Sequence, residues 1–159
     1  MRMDHCSEVI MFTRRSSFLP VLVLVVSASG LYAKSDAVNH DRKGVAIRGY
    51  DPVAYFTDSK PVKGDPQFSY SWQGATWVFA SAQHRDMFAQ HPDQYQPQYG
   101  GYCAYGVGQG HTVDIDPEAW RIIEGKLYLN YDKSVQQMFL KEPQERIKLA
   151  DKNWPGLHN

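Results

Sequence analysis

Cysteine is nearly missing from this 159-residue chain: there are two, Cys6 and Cys103. That excludes a disulfide-dense scaffold and any four-cysteine zinc or iron–sulfur site within one chain. Charge of one sign is missing too. Seventeen Lys+Arg face seventeen Asp+Glu, so the net charge is zero. Bulk electrostatic binding to nucleic acid or to an anionic membrane surface is therefore not expected. There is no internal repeat, no low-complexity tract, and no HExxH, P-loop, GxSxG or strand–GxGxxG–helix motif. The longest apolar run, Phe18 to Val26, is too short to cross a bilayer comfortably. What remains is globular composition, 43% hydrophobic and 21% charged, with ten tyrosines and four tryptophans.

That apolar run has the setting of an export signal. Arg14 and Arg15 precede it, and the small residues Ser27, Ala28, Ser29, Gly30 and Ala33 follow. Residues 1–33 read as a signal peptide whose true start is Met11, because the acidic, mixed stretch before it is a poor n-region. Cleavage after Ala33 is preferred over Ala28, and an uncleaved anchor is the alternative. The expected location is periplasmic or secreted, with no membrane span in the mature chain. Residues 34–159 then form a 126-residue chain with 14 Lys+Arg, 15 Asp+Glu and one cysteine, Cys103. A lone exported thiol is buried and inert, pairs with another molecule, or does chemistry.

The mature chain reads as one small α+β domain of β-hairpins packed with short helices. Residues 34–44 are polar and read as a flexible lead-in. Asp51-Pro52 starts a short helix. Phe68, Tyr70 and Trp72 alternate with serines and lead into the turn Gln73-Gly74. Ala75 to Ala80 answers with Trp77 and Phe79 on one face, which predicts a hairpin. Ser81 caps a helix over 82–90, ended by His91-Pro92. Residues 93–110 hold five glycines and four tyrosines around Cys103, with about a half-turn of helix at Cys103-Ala104-Tyr105. The tyrosines either line a pocket or cover the core. Asp116-Pro117-Glu118 is expected to begin a helical turn. A second hairpin turns at Glu124-Gly125, with Leu127, Leu129 and Tyr131 on one face. Val135, Met138 and Phe139 mark one amphipathic helix. Pro143 restarts another, with Ile147, Ala150 and Trp154 on one face and Pro155-Gly156 as its stop.

The strings Gly49-Tyr50-Asp51-Pro52-Val53-Ala54-Tyr55-Phe56, Gly74-x-x-Trp77-x-Phe79-Ala80-Ser81, Gly100-Gly101-Tyr102-Cys103-Ala104 and Gly125-Lys126-Leu127-Tyr128-Leu129-Asn130 resemble the exported YHS-domain proteins over about residues 45–155. The broader YHS/TRASH group is regarded as a metal-binding module, and a small α+β unit is the fold the resemblance implies. In its metal-type members three cysteines stand where this chain has Ala54, Ala80 and His84, so that ligand set does not carry over. The exported subgroup carries Gly-Gly-Tyr-Cys-Ala instead, and selenocysteine at the Cys103 position in some relatives implies reactive chalcogen chemistry.

Three residues follow as candidate metal ligands. Cys103 sits among glycines whose backbone N–H groups can lower a thiol pKa. His84 replaces a family cysteine, and His111 lies eight residues beyond Cys103 across a glycine-rich stretch. One Cys and two His make a Cu or Zn ligand set. The alternative is a thiol-based redox protein whose Cys103 meets a small thiol or oxidant, and the absence of a second mature cysteine weighs against it. The binding-module reading is preferred over an enzyme. No catalytic carboxylate is assigned, since Asp51 reads as a helix cap.

Overall fold

Two antiparallel hairpins organise the domain. The computed structural model describes residues 34–158; the expected signal peptide lies outside the described residues. Strand β1 (Asp65–Trp72) pairs with β2 (Ala75–Phe79), and β3 (Asp116–Ile123) pairs with β4 (Lys126–Asn130). In both, the two turn residues are left-handed: φ is 49° and 77° at Gln73-Gly74, and 51° and 74° at Glu124-Gly125. Two positive φ values give a turn whose twist matches the strands it joins, and glycine second in the turn makes that cheap.

Six α-helical segments complete the described residues: α1 (Ala54–Thr57), α2 (Ala82–Gln90), α3 (Pro92–Tyr95), α4 (Ala104–Gly108), α5 (Lys133–Lys141) and α6 (Pro143–Leu157). The result is a small α+β domain. The Ser81 hydroxyl caps α2 by accepting the His84 N–H at 3.1 Å. Phe88 of α2 then drives into the first hairpin. Its ring lies 5.1 Å from Trp77, 5.3 Å from Phe79 and 5.7 Å from Trp72. Leu127 and Leu129 of β4 join this core. A second cluster, with Tyr99, Val107, Tyr128, Phe139 and Ala150 buried, lies where α4 and α6 pack together.

Four expectations are corrected. Asp116-Pro117-Glu118 opens β3, not a helical turn: Asp116 pairs with Asn130, and a register shift between Asp116 and Trp120 absorbs the proline. Met138 is 38% exposed, and the inward positions of α5 belong to Phe139 and Gln136, whose amide donates to the Trp120 carbonyl. Helix α6 continues past Pro155-Gly156 to Leu157. Its last carbonyls still find partners: His158 Nδ1 lies 2.7 Å from the Trp154 oxygen, and Ser35 N–H donates to Leu157 O at 2.9 Å.

Residues 34–44, expected to be a flexible lead-in, carry a buried Val38 and several hydrogen bonds to distant parts of the same chain. Asn39 N–H donates to Gly100 O at 2.9 Å, and the Asn39 amide donates to Gly101 O and to Asp114 Oδ1. This passage explains the glycine pair. A Cβ on Gly100 would stand 1.9 Å from Ala37 O, and one on Gly101 2.4 Å from Ile47 Cγ2. Facing them, Ile47, Arg48 and Gly49 run left-handed, as do Tyr99, Gly100 and Gly101. A β-branched residue at φ 39° is strained, and the surrounding packing holds it there.

Candidate functional site

The left-handed passage at Tyr99–Gly101 delivers the chain to Cys103, the N-cap of α4. Its main chain is pinned by Cys103 N–H donating to Val113 O at 3.1 Å. Its sulfur accepts from Gly106 N–H at 3.4 Å, so the side chain caps the short helix that the sequence placed here. The thiol is 1% exposed. Burial pushes its pKa up, and backbone hydrogen bonds from Gly106, Tyr131 and Tyr105 pull the other way without prevailing. The backbone N–H groups expected around the thiol are therefore present. The lowering expected from them is overridden by desolvation.

His111 reaches the same place. After α4 the chain turns back, and His111 N–H donates to Gly106 O at 3.1 Å. Gly106 permits the tight return: a Cβ there would meet Val113 Cγ2 at 3.0 Å and His111 O at 3.3 Å. Cys103 and the exposed His111 both line a cleft of about 250 Å³, whose other walls include Tyr105, Val113, Tyr131 and Val135. Cys103 and His111 thus share one cleft with largely apolar surroundings.

His84 is elsewhere. Its Nδ1 lies 2.6 Å from Oδ2 of Asp51, a carboxylate with no exposed surface. The same oxygen accepts Ala80 N–H at 2.9 Å, and Oδ1 accepts Val53 N–H at 2.8 Å and Ala54 N–H at 3.3 Å. Asp51 is thus the cap the sequence suggested, and also a hub that ties α1, the end of β2 and α2 together. The remaining ring nitrogen of His84 lies 3.4 Å from Thr57 Oγ1. The three expected ligands therefore separate: Cys103 and His111 share the cleft, and His84 does not line it. Among the described residues no three His, Cys, Asp or Glu side chains gather as a metal site. A closed four-coordinate zinc site is not provided by this arrangement.

One residue that sequence reasoning passed over stands against the thiol. Asn130 ends β4 with no exposed surface. Its Oδ1 lies 3.9 Å from Cys103 Sγ and accepts Tyr105 N–H at 3.4 Å, while its Nδ2 is buried without an acceptor. The signal was an amide closing a strand, Leu127-Tyr128-Leu129-Asn130, that is buried on both faces. A polar side chain in such a position needs a partner.

Comparison with known families bears on one part of the chain.

Residues 53–99 match the family model of the YHS domain.

That span runs from just before α1 to the left-handed Tyr99. It includes His84 and stops short of Cys103, His111 and Asn130. No curated protein and no solved structure matches the chain.

Proposed function

We propose that this protein binds a soft monovalent metal ion, Cu(I) in chemical class, in the cleft between Cys103 and His111. The observation that carries the reading is that these two donors, eight residues apart, line one cleft with apolar walls. Thiolate sulfur selects soft ions and imidazole suits copper. Cu(I) is satisfied by two donors, whereas structural Zn(II) takes four. Burial favours the protonated thiol, but a coordinating ion displaces that proton outright, and the backbone N–H groups at the sulfur then stabilise the thiolate. The same burial disfavours the redox alternative. A small oxidant needs thiolate already formed, and residues 34–159 hold no second cysteine to resolve an oxidised sulfur.

Competition against a chromophoric Cu(I) chelator tests this. The wild-type protein binds one Cu(I), Cys103→Ser abolishes binding, and His111→Ala weakens it. Equal affinity in wild type and Cys103→Ser contradicts the proposal.

The proposal extends to location: the domain works outside the cytoplasm after cleavage near Ala33, on the basic pair, apolar run and small-residue exit before Lys34. The intact mass of the cell-made protein should correspond to a chain beginning at Lys34. A mass that retains the apolar run overturns it.

A further inference from the structure

We propose that the open edge of β1 pairs with β1 of a second copy of this chain, antiparallel and centred on Tyr70, so that two hairpins join into one sheet. None of the residues lining the thiol cleft belongs to this strand. The outer edges of the other three strands are occupied. On β2, Thr76 N–H donates to Gly44 O at 2.8 Å, and Thr76 O accepts Ala46 N–H at 2.9 Å. On β3, side chains of α5 take the edge: Lys133 donates to Glu118 O and Gln136 to Trp120 O. On β4, Leu127 bridges to Pro97. β1 differs. Among the described residues no hydrogen bond reaches the main chain of Ser69 or Ser71 from another element.

The direction of those free groups follows from the hairpin register. Ser71 faces Thr76, and Ser69 faces Val78. In an antiparallel ladder, opposed residues alternate between pairs that exchange hydrogen bonds and pairs that point theirs away. Thr76 directs both its main-chain groups to Gly44 and Ala46, so Ser71–Thr76 is a pair of the second kind. Ser69–Val78, two residues further along, is another. The exposed Ser69 and Ser71 therefore aim N–H and C=O groups outward at ladder spacing.

Such an edge is a template for another strand, and its sequence fits a copy of itself. Phe68-Ser69-Tyr70-Ser71-Trp72 reads aromatic–Ser–aromatic–Ser–aromatic in both directions. An antiparallel copy centred on Tyr70 sets Ser69 opposite Ser71, Phe68 opposite Trp72 and Tyr70 opposite Tyr70. Both Ser69–Ser71 pairs then exchange main-chain hydrogen bonds, and the pairing closes on a two-fold axis. The half-buried aromatics meet across the strands on one face. Sliding the copy by one residue would set aromatics against serines and lose that match. No charge and no proline interrupts the stretch, and a chain of zero net charge repels its copy weakly. A peptide of unrelated sequence would gain the backbone bonds without the side-chain match.

Sedimentation equilibrium of the purified protein over a range of concentrations, read together with amide hydrogen exchange, tests this. The mass should rise from one chain to two, and exchange at Ser69 and Ser71 should slow in step. Ser71→Pro removes an outward N–H that the hairpin does not use, so this variant should fold and stay a monomer. Ser69→Lys combined with Ser71→Lys keeps every N–H but sets like charges opposite one another, and should stay a monomer too. That variant decides if Ser71→Pro does not fold. A monomer at every concentration, or a dimer that persists in the variants, overturns the inference. Slow exchange at both serines in a dilute monomer also overturns it, because another segment of the chain then holds the edge.

Discussion

The Asp51–His84 corner and the Cys103–His111 cleft each offer an imidazole, and they use it in opposite directions. At the corner the ring is turned inward to a fully buried carboxylate, and every oxygen of that carboxylate is engaged by backbone N–H groups or by the ring. At the cleft His111 is exposed, and the buried Cys103 lines the same space. The corner's histidine lies within the part of the chain that matches the YHS family, and the cleft lies beyond it. Positions that resemblance ties to metal cysteines, Ala54, Ala80 and His84, are here occupied by helix, backbone donor and hydrogen-bonded ring. The comparison teaches that the same side chain serves as structure where a buried carboxylate takes its ring, and stays open to solvent where none does.

Stability measurements can break this contrast. The largest effect is expected at the corner. Asp51→Ala leaves Val53, Ala54 and Ala80 N–H groups without their carboxylate and strips His84 of its partner. The cost should be about 3–5 kcal/mol, since several backbone donors and the His84 ring lose one buried acceptor together. Cys103→Ser should cost about 1 kcal/mol, since the hydroxyl can still donate to Asn130 Oδ1. His111→Ala, at an exposed side chain, should stay within about 0.5 kcal/mol. Urea unfolding at constant m reads all three. If Asp51→Ala proved milder than Cys103→Ser, the corner would not be the structural hub described.

Much of the frame was legible in the sequence. Strict alternation in Phe68–Trp72, the turns Gln73-Gly74 and Glu124-Gly125, and the Ser81 cap announced the hairpins and α2, because each depends on chemistry within a few residues. What escaped depends on partners far along the chain. His84 was a candidate ligand because nothing local reveals that Asp51, thirty-three residues away, takes its ring. The polar segment 34–44 looked loose because its anchors are carbonyls at Gly100, Gly101 and Leu157. The glycines around Cys103 correctly signalled close backbone approach. They also suggested an ionised thiol, and only the three-dimensional packing shows that desolvation outweighs the nearby N–H groups. Asn130 was hidden as one polar residue at the end of an apolar strand.

X-ray absorption at the copper edge of the Cu(I)-loaded protein tests the central claim most directly. The account predicts one sulfur and one nitrogen neighbour in wild type, an unchanged spectrum in His84→Ala, and loss of the nitrogen in His111→Ala. A spectrum that changes in His84→Ala, or a nitrogen neighbour that survives in His111→Ala, would contradict it.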